Sequence, residues 1–373
     1  MGSNFVKSGN PWYTIPALIV LTPHGTWPNM SRIAAVSTAL PKYRFSREQI
    51  TEVANRWLSA QPQEAKVFER FLSAVKIDSR SFVMPLDEII GLGGMAKRAD
   101  IFATEGLPLG QASVSKVLTA AGLEAQDIDA MIFTSCTGSL IPTLDTHLIN
   151  TLGFNPSILR VPIYQYGCAG GASGLALAHE LCKSGKRVLL ASVEICSLEF
   201  QRGDVSGGNL LGAALFSDGA ASVVMVPDDT GIKVVDAMSI LIPNSQGLMG
   251  YDLYDDGPHL RLLKELPSVL AATSREHIPA FLKKHGLTPK DVNSWLFHPG
   301  GVKILEVLEE AFGLKRAQAQ WSWDVLAQYG NMSSATALFV LDGYLKDAPP
   351  GYALMLGVGP GLSVQLLLIN NVR

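Results

Sequence analysis

The chain contains an imperfect copy of itself, and no other feature constrains its architecture as tightly. The segment LTAAGLEAQDIDAMIF, Leu118 to Phe133, aligns with LKKHGLTPKDVNSWLF, Leu282 to Phe297, at an offset of 164 residues. Each copy reads as an amphipathic helix stopped by a glycine (Gly122, Gly286), then a short turn with an Asp, then an apolar run too short for another helix. A second pair follows. Gly167-Cys168 opens AGGASGLALAHELCKSG before the strand-like RVLLASVE, and Gly330-Asn331 opens MSSATALFVLDGYL before YALMLGVG, at an offset of 163. Two offsets agreeing within one residue predict a duplicated α/β half, with equivalent helices starting just after Cys168 and Asn331. Alternating strand and helix patterns imply sheets covered by helices. The expectation is a layered α/β body about a pseudo-two-fold axis: an N-terminal arm over 1–30, a first half over 31–235 and a second over 236–373.

Composition supports a folded body and narrows its partners. Hydrophobic residues make up 47% of the chain and charged residues 17%, with 35 Gly, which excludes a disordered or fibrous chain. The 30 basic and 33 acidic residues leave a net charge of −3, and neither sign forms a long run, so nucleic acid is not an expected partner. The 4 cysteines show no CxxC spacing and read as separate thiols of a reducing compartment, the cytoplasm. Near the N-terminus Pro16 interrupts the short apolar run Ile15 to Leu21 and no small-residue cleavage site follows, so no secretory signal is expected. Gly351 to Ile369 is uncharged and long enough to span a bilayer, yet Gly357-Val358-Gly359-Pro360-Gly361 would break a spanning helix. Two strands around a tight turn fit it instead.

Three polar residues are expected to meet near the axis. Cys168, in YGCAGGASG, lies between a strand-like RVPIYQ and a helix that can start at Ala169. A sulfur at a helix N-terminus is favoured as the thiolate, its nucleophilic form, and the small residues Ala169 to Ala172 are expected to let a substrate approach. Asn331 holds the equivalent place in the other copy. His298 follows the apolar SWLF and precedes Pro-Gly-Gly, so it projects from the carboxyl end of a strand, where open α/β sheets place ligands. The other six histidines read as surface or structural, and none pairs at metal-ligand spacing. Cys182 reads as core, while Cys136 and Cys196, at strand ends, read as core or pocket wall. A thiol, an imidazole and a carboxamide together suit acyl transfer. The Cys carries an acyl group as a thioester, and His and Asn donate to a thioester carbonyl whose oxygen becomes negative as loss of carbon dioxide from a malonyl unit generates an enolate.

YGCAGG, LFHPGG, YGNMSSAT and GVGPG, in that order, resemble the type III polyketide synthases, the chalcone synthase-like branch of the thiolase superfamily. The resemblance runs from about Arg32 onward. It implies a thiolase-like αβαβα fold, with Cys168 as acyl-accepting nucleophile and His298 and Asn331 assisting decarboxylation and holding the condensation oxyanion. It also implies a CoA thioester starter, malonyl-CoA extension, a homodimer, and neither metal nor prosthetic group. Phe216, in ALFSDG, matches a gatekeeping Phe between CoA tunnel and cavity. Gly357, Gly359, Pro360 and Gly361 match a GFGPG loop shaping the cavity wall, with Val358 in place of Phe. Leu260 stands where plant members have a second gatekeeping Phe. Cys136, Glu194 and Ser333 match positions of a hydrogen-bonded chain that influences ring closure, with simple satisfaction of buried polar groups as the alternative. Ile141 matches a residue that family dimers insert into the neighbouring subunit's cavity.

Glu199 is the least expected residue, since relatives carry Thr or Cys there. A carboxylate in an apolar cavity must be paired or neutral. Pairing with a cation such as Arg202 is expected; as a neutral acid it would instead face the cavity and handle protons during cyclisation. The abundant aliphatic residues suggest a fatty acyl starter and an alkylpyrone or alkylresorcinol product, with acyl-CoA or an acyl-carrier protein as donor. The alternatives are an initiating ketoacyl synthase of fatty-acid synthesis, against which HPGG and the GxGPG loop argue, and a non-catalytic scaffold of the same fold.

Overall fold

The computed structural model describes residues 31–228 and 230–372, so the expected arm over 1–30 lies outside the described residues. The first half runs β1 (Ser31–Ala39), β2 (Tyr43–Ser46), α1 (Arg47–Trp57), α2 (Pro62–Ala74), β3 (Ser79–Phe82), α3 (Leu86–Ile90), α4 (Met95–Ala121), β4 (Ala130–Ser135), α5 (Asp145–Leu152), β5 (Leu159–Tyr164), α6 (Gly170–Lys183), β6 (Val188–Ile195), α7 (Gly207–Leu215) and β7 (Asp218–Val226). The second runs β8 (Ile232–Leu241), β9 (Met249–Tyr254), β10 (Gly257–Leu262), α8 (Leu266–Lys283), β11 (Val292–Phe297), α9 (Val302–Phe312), α10 (Gln320–Tyr329), α11 (Ser334–Asp347), β12 (Gly351–Gly359) and β13 (Ser363–Asn371). The expected boundary between 235 and 236 falls inside β8, which starts at Ile232.

The duplication is visible in the strand order. Among the described residues one hydrogen-bonded series runs β11-β12-β13-β8-β1-β7-β6-β4-β5. In the first half β4 pairs parallel with β6, β6 antiparallel with β7, and β7 antiparallel with β1. In the second, β11, β12, β13 and β8 repeat the same three pairings in the same senses. The two sets meet through a short antiparallel contact, Ser31 with Val234 and Arg32 with Lys233. Local signals agree: α4 stops at Gly122 with φ +66, Gly286 with φ +70 follows α8, and each is succeeded by a turn carrying Asp127 or Asp291 before β4 or β11. The stretch from Gly351 folds as the expected hairpin, β12 and β13, with Pro360 and Gly361 in its turn. No helix among the described residues is long and apolar enough to cross a membrane.

Alternation along the strands makes the layers. In β4, Ala130 and Ile132 face a central core with α6 and α11, while Met131 and Phe133 face an outer core with α4 and α5. In β12, Ala353 and Met355 face the centre, and Leu354 and Leu356 face the outer core with α8 and α9. Helix, sheet, helix pair, sheet and helix therefore stack in the expected αβαβα order.

The central pair is packed unusually close. A methyl group added at Gly171 of α6 would sit 2.1 Å from the carbonyl oxygen of Ser334 in α11, and one at Gly170 would sit 2.3 Å from Thr134 Oγ1. The small residues after Cys168 thus serve helix contact rather than substrate approach, a correction to the sequence reading. Gly171→Ala is expected to destabilise the protein by ~3 kcal/mol or more, because backbone and not a movable side chain receives the methyl group. Gly343→Ala, whose new methyl group would touch only Trp321 at 3.6 Å, is expected to stabilise it by about 0.5–1 kcal/mol. Urea denaturation followed by circular dichroism checks both.

Candidate active site

The close helix crossing brings two turns together. Cys168 lies in a tight turn, Gly167–Ala169, immediately before α6, and Asn331 and Ser333 immediately before α11. Ser333 has φ +48, a left-handed conformation that costs a non-glycine residue about 1–3 kcal/mol. Its backbone N–H donates to Asn331 Oδ1 at 2.9 Å, and its hydroxyl lies 3.0 Å from Cys136 Sγ and 3.6 Å from Cys168 Sγ. Thr336 Oγ1 also donates to Asn331 Oδ1, at 3.1 Å. With its oxygen held by two donors, Asn331 turns its amide nitrogen toward the sulfur and donates to it.

The thiol is not activated in the way its helix position predicts. Burial pushes Cys168 up to about 11, against hydrogen bonds from Ser333 and Asn331 that pull it down, with Glu194 adding to the rise. A helix terminus does not offset loss of water when no cation stands near and a carboxylate does. His298 is buried, and burial alone lowers it to about 4, so the ring is neutral. Neither ring nitrogen has a partner among the described residues.

His298 is placed through β12. Its backbone N–H donates to Leu356 O at 2.7 Å. Three residues on, a methyl group at Gly359 would meet Ala169 N at 2.7 Å and Tyr166 O at 2.8 Å, and one at Gly357 would meet Ala172 Cβ at 2.5 Å. Residues 356–359 are thus flanked by the His298 backbone and the Cys168 turn, and Pro360 covers Gly167. The glycine-rich loop holds the Cys168 turn; Val358 itself packs into the second half's outer core.

Glu194 is fully buried and ties the elements together. It accepts from Cys136 N–H at 3.1 Å, Thr137 N–H at 3.2 Å, Thr137 Oγ1 at 2.7 Å, Ser135 Oγ at 3.3 Å and the hydroxyl of Ser334. Burial pushes its carboxyl up, while the Ser334 and Thr137 hydroxyls pull it down. The expected Cys136–Glu194–Ser333 chain exists, and Glu194 acts in it as an anchor whose oxygens are already occupied. Burial also pushes Cys136 well above the thiol range.

Beside this cluster lies a cavity that opens to solvent. Cys168, His298 and Asn331 do not line it. Phe216 belongs to both regions: its backbone bridges to Asn331 and its side chain lines the cavity with Leu260, Cys196 and Glu199. Most of the wall is apolar and comes from α1, α2, α3 and α7, including Ile50, Val53, Trp57, Phe68 and Ile89. Sequence reasoning missed these residues, and it missed Tyr251, whose buried phenol is raised well above its ordinary range. They lie in insertions between the repeated strands, which carry no repeat pattern.

Glu199 does not pair as expected. Arg202 is exposed, and Trp57 Nε1 holds only its carbonyl, at 3.0 Å. Glu199 instead lines the cavity, where burial pushes it up to about 8 against the charge of Arg98. The direction of the side chain, which sequence does not fix, decided between the two alternatives. Ile141 is the most exposed of the large hydrophobic residues among those described, at 102%.

Comparison with known proteins agrees with this geometry. Residues 30–229 match the family described as chalcone and stilbene synthases, N-terminal domain, and residues 233–373 match its C-terminal domain. The chain is 34% identical over 349 residues to 1,3,6,8-tetrahydroxynaphthalene synthase of Streptomyces peucetius subsp. caesius, covering 91% of this chain and 92% of that one. The crystal structure of 1,3,6,8-tetrahydroxynaphthalene synthase from Streptomyces coelicolor A3(2), a bacterial type III polyketide synthase, superposes with a TM-score of 0.87 at 28% identity over 91% of this chain and 99% of that one. The C-terminal type III polyketide synthase domain of Steely1 from Dictyostelium gives 0.85 at 26% identity, over 92% and 100%.

A raised thiol has a direct signature. Iodoacetamide labelling of Cys168, mapped by mass spectrometry, is expected to be slow at pH 7 and to rise about tenfold per pH unit toward pH 11, as the thiolate fraction does. A rate flat below pH 8 would mean an ion pair with His298.

Proposed function

The chain belongs to the chalcone and stilbene synthase family, the type III polyketide synthases, and from this we propose that it primes Cys168 with a fatty acyl group, extends it with malonyl-CoA, and closes the product to a pyrone or phenolic ring. Enzymes of this family are acyltransferases that carry out decarboxylative Claisen condensation on CoA thioesters without a cofactor. The observation that carries the finer reading is the apolar cavity beyond Phe216, whose aliphatic and aromatic walls match an alkyl chain.

The residues take complementary parts. His298, neutral and unpartnered, accepts the Cys168 proton as the sulfur attacks the starter thioester and passes it to the CoA thiolate as the bond from the acyl carbon to CoA breaks, so a thiol raised to about 11 need not ionise in advance. Once malonyl-CoA replaces free CoA, the bond to the carboxylate breaks and its electron pair becomes the enolate. The Asn331 amide N–H and an imidazole N–H stabilise the negative oxygen; a carboxylate at 331 would repel it. The enolate carbon attacks the Cys168 thioester, the C–S bond breaks, and the lengthened chain leaves on CoA for another round.

The dimer belongs to the same proposal. Ile141 stands fully exposed, and Leu159 and Tyr164 on edge strand β5 expose apolar surface in the single chain. A second copy fits that surface. A second reading of the product comes from the tetrahydroxynaphthalene synthase relatives: malonyl units would serve as starter as well as extender, giving an aromatic product without an alkyl chain.

Incubation with a panel of acyl-CoA and carrier-bound acyl starters plus malonyl-CoA, read by mass spectrometry, separates these. Long-chain acyl-CoAs are expected to label Cys168 and yield products, and Cys168→Ala to abolish both. Product from malonyl-CoA alone, with long-chain starters inert, would favour the second reading. Ile141→Arg is expected to shift the sedimentation coefficient from dimer toward monomer in analytical ultracentrifugation.

A further inference from the structure

The site holds two carboxyl groups, and their surroundings divide them. Glu194 accepts from three hydroxyls and two backbone N–H groups, so no lone pair is left for substrate. Glu199 lines the cavity and makes no hydrogen bond or ion pair with another described residue. The cation that acts on its charge, Arg98, spends four of its five N–H donors on other groups. The Arg98 guanidinium donates to Gly93 O at 3.0 Å, to Phe200 O at 3.0 Å, to Gln201 Oε1 at 3.2 Å and to Leu198 O. The bonds to Leu198 O and Phe200 O hold the backbone on either side of Glu199, whose side chain lines the cavity.

We propose that Glu199 is the acid–base residue of carbon–carbon ring closure, taking a methylene proton from the linear polyketone and returning it to the oxygen of the carbonyl that the new carbon nucleophile attacks. This rests on the polyketide reading above. In the first step the C–H bond breaks and an O–H bond forms on Glu199, leaving an enolate. The enolate carbon then bonds to a carbonyl carbon further along the chain, and the C=O π pair moves to oxygen. That oxygen takes the proton back from Glu199, so no other reagent is consumed and the carboxylate is regenerated. Lactone closure joins an enol oxygen to the thioester carbon and does not need this residue.

The groups facing Glu199 set its proton affinity. Arg98 from α4 stabilises its charge, while Glu194 on β6 opposes it. Tyr251 on β9, Tyr164 at the end of β5 and the Cys136 thiol feel its charge in turn, and Cys196 and Arg80 share the cavity wall. Burial outweighs Arg98 and leaves the group half ionised near pH 8, where a residue that must both take and give a proton works best.

The test measures the ratio of carbocyclic to lactone products per CoA released, so a change in overall rate cancels. With an acyl-CoA starter and malonyl-CoA, the ratio is expected to rise with pH up to about 8 in the wild-type enzyme. In Glu199→Gln it is expected to fall ~100-fold and lose that pH dependence, and Glu199→Asp is expected to recover part of it. An unchanged ratio in Glu199→Gln overturns the role of Glu199, as does a wild-type ratio flat from pH 6.5 to 9 or a product that is lactone only. A wild-type enzyme that releases no CoA with any starter overturns the polyketide reading itself.

Discussion

The contact between α6 and α11 is the constraint on which the rest depends. Two helices from opposite halves cross so closely that the backbone of one takes the place of a side chain on the other, at Gly171 and Ser334. Each helix is preceded by a turn, and the crossing superimposes the two turns on one point. Cys168 and Asn331 meet because their helices do. The Ser192–Ser334 hydroxyl pair at 2.8 Å and the bond from Ser334 to Glu194 fasten α11 to β6, and Glu194 fastens β6 to the end of β4. A network of buried polar groups with every member satisfied is rigid as well as stable, and here that rigidity holds Ser333 in a strained conformation between two sulfurs.

Burial without partners then sets the chemistry. Loss of water drives the proton affinities of His298 and Cys168 apart: the imidazole is kept neutral and the thiol protonated. Both groups are uncharged at neutral pH. Glu199 follows the same rule with the opposite result, since a carboxyl that loses water without gaining donors retains its proton to unusually high pH.

Much of this was legible in the sequence. The repeat foretold the matched strand pairings, because each copy kept the helix–glycine–turn–strand grammar that backbone geometry demands. It also located Cys168, Asn331 and, through the strand before it, His298. Other features depend on directions that sequence does not encode. Whether Glu199 reaches Arg202 or the cavity is a matter of one turn's orientation, and the net effect of a helix terminus on Cys168 depends on how much water the fold removes. The glycines after Cys168 make space for another helix, and composition alone does not distinguish that from space for substrate. Trp57 and Tyr251 come from insertions, where neither periodicity nor a partner copy marks them.

That division has a physical basis. The duplicated core must preserve the helix crossing, because displacing either turn separates the sulfur from the amide. The segments between β1 and α4, between β6 and β7 and between β8 and α8 bear no such restriction, since they only wrap around the space beside the core. A change in α1, α3 or the β9–β10 hairpin alters the cavity's length and polarity while leaving Cys168, His298 and Asn331 where the core puts them. The core therefore fixes where Cys168 and Asn331 meet, and the insertions shape the space beside them.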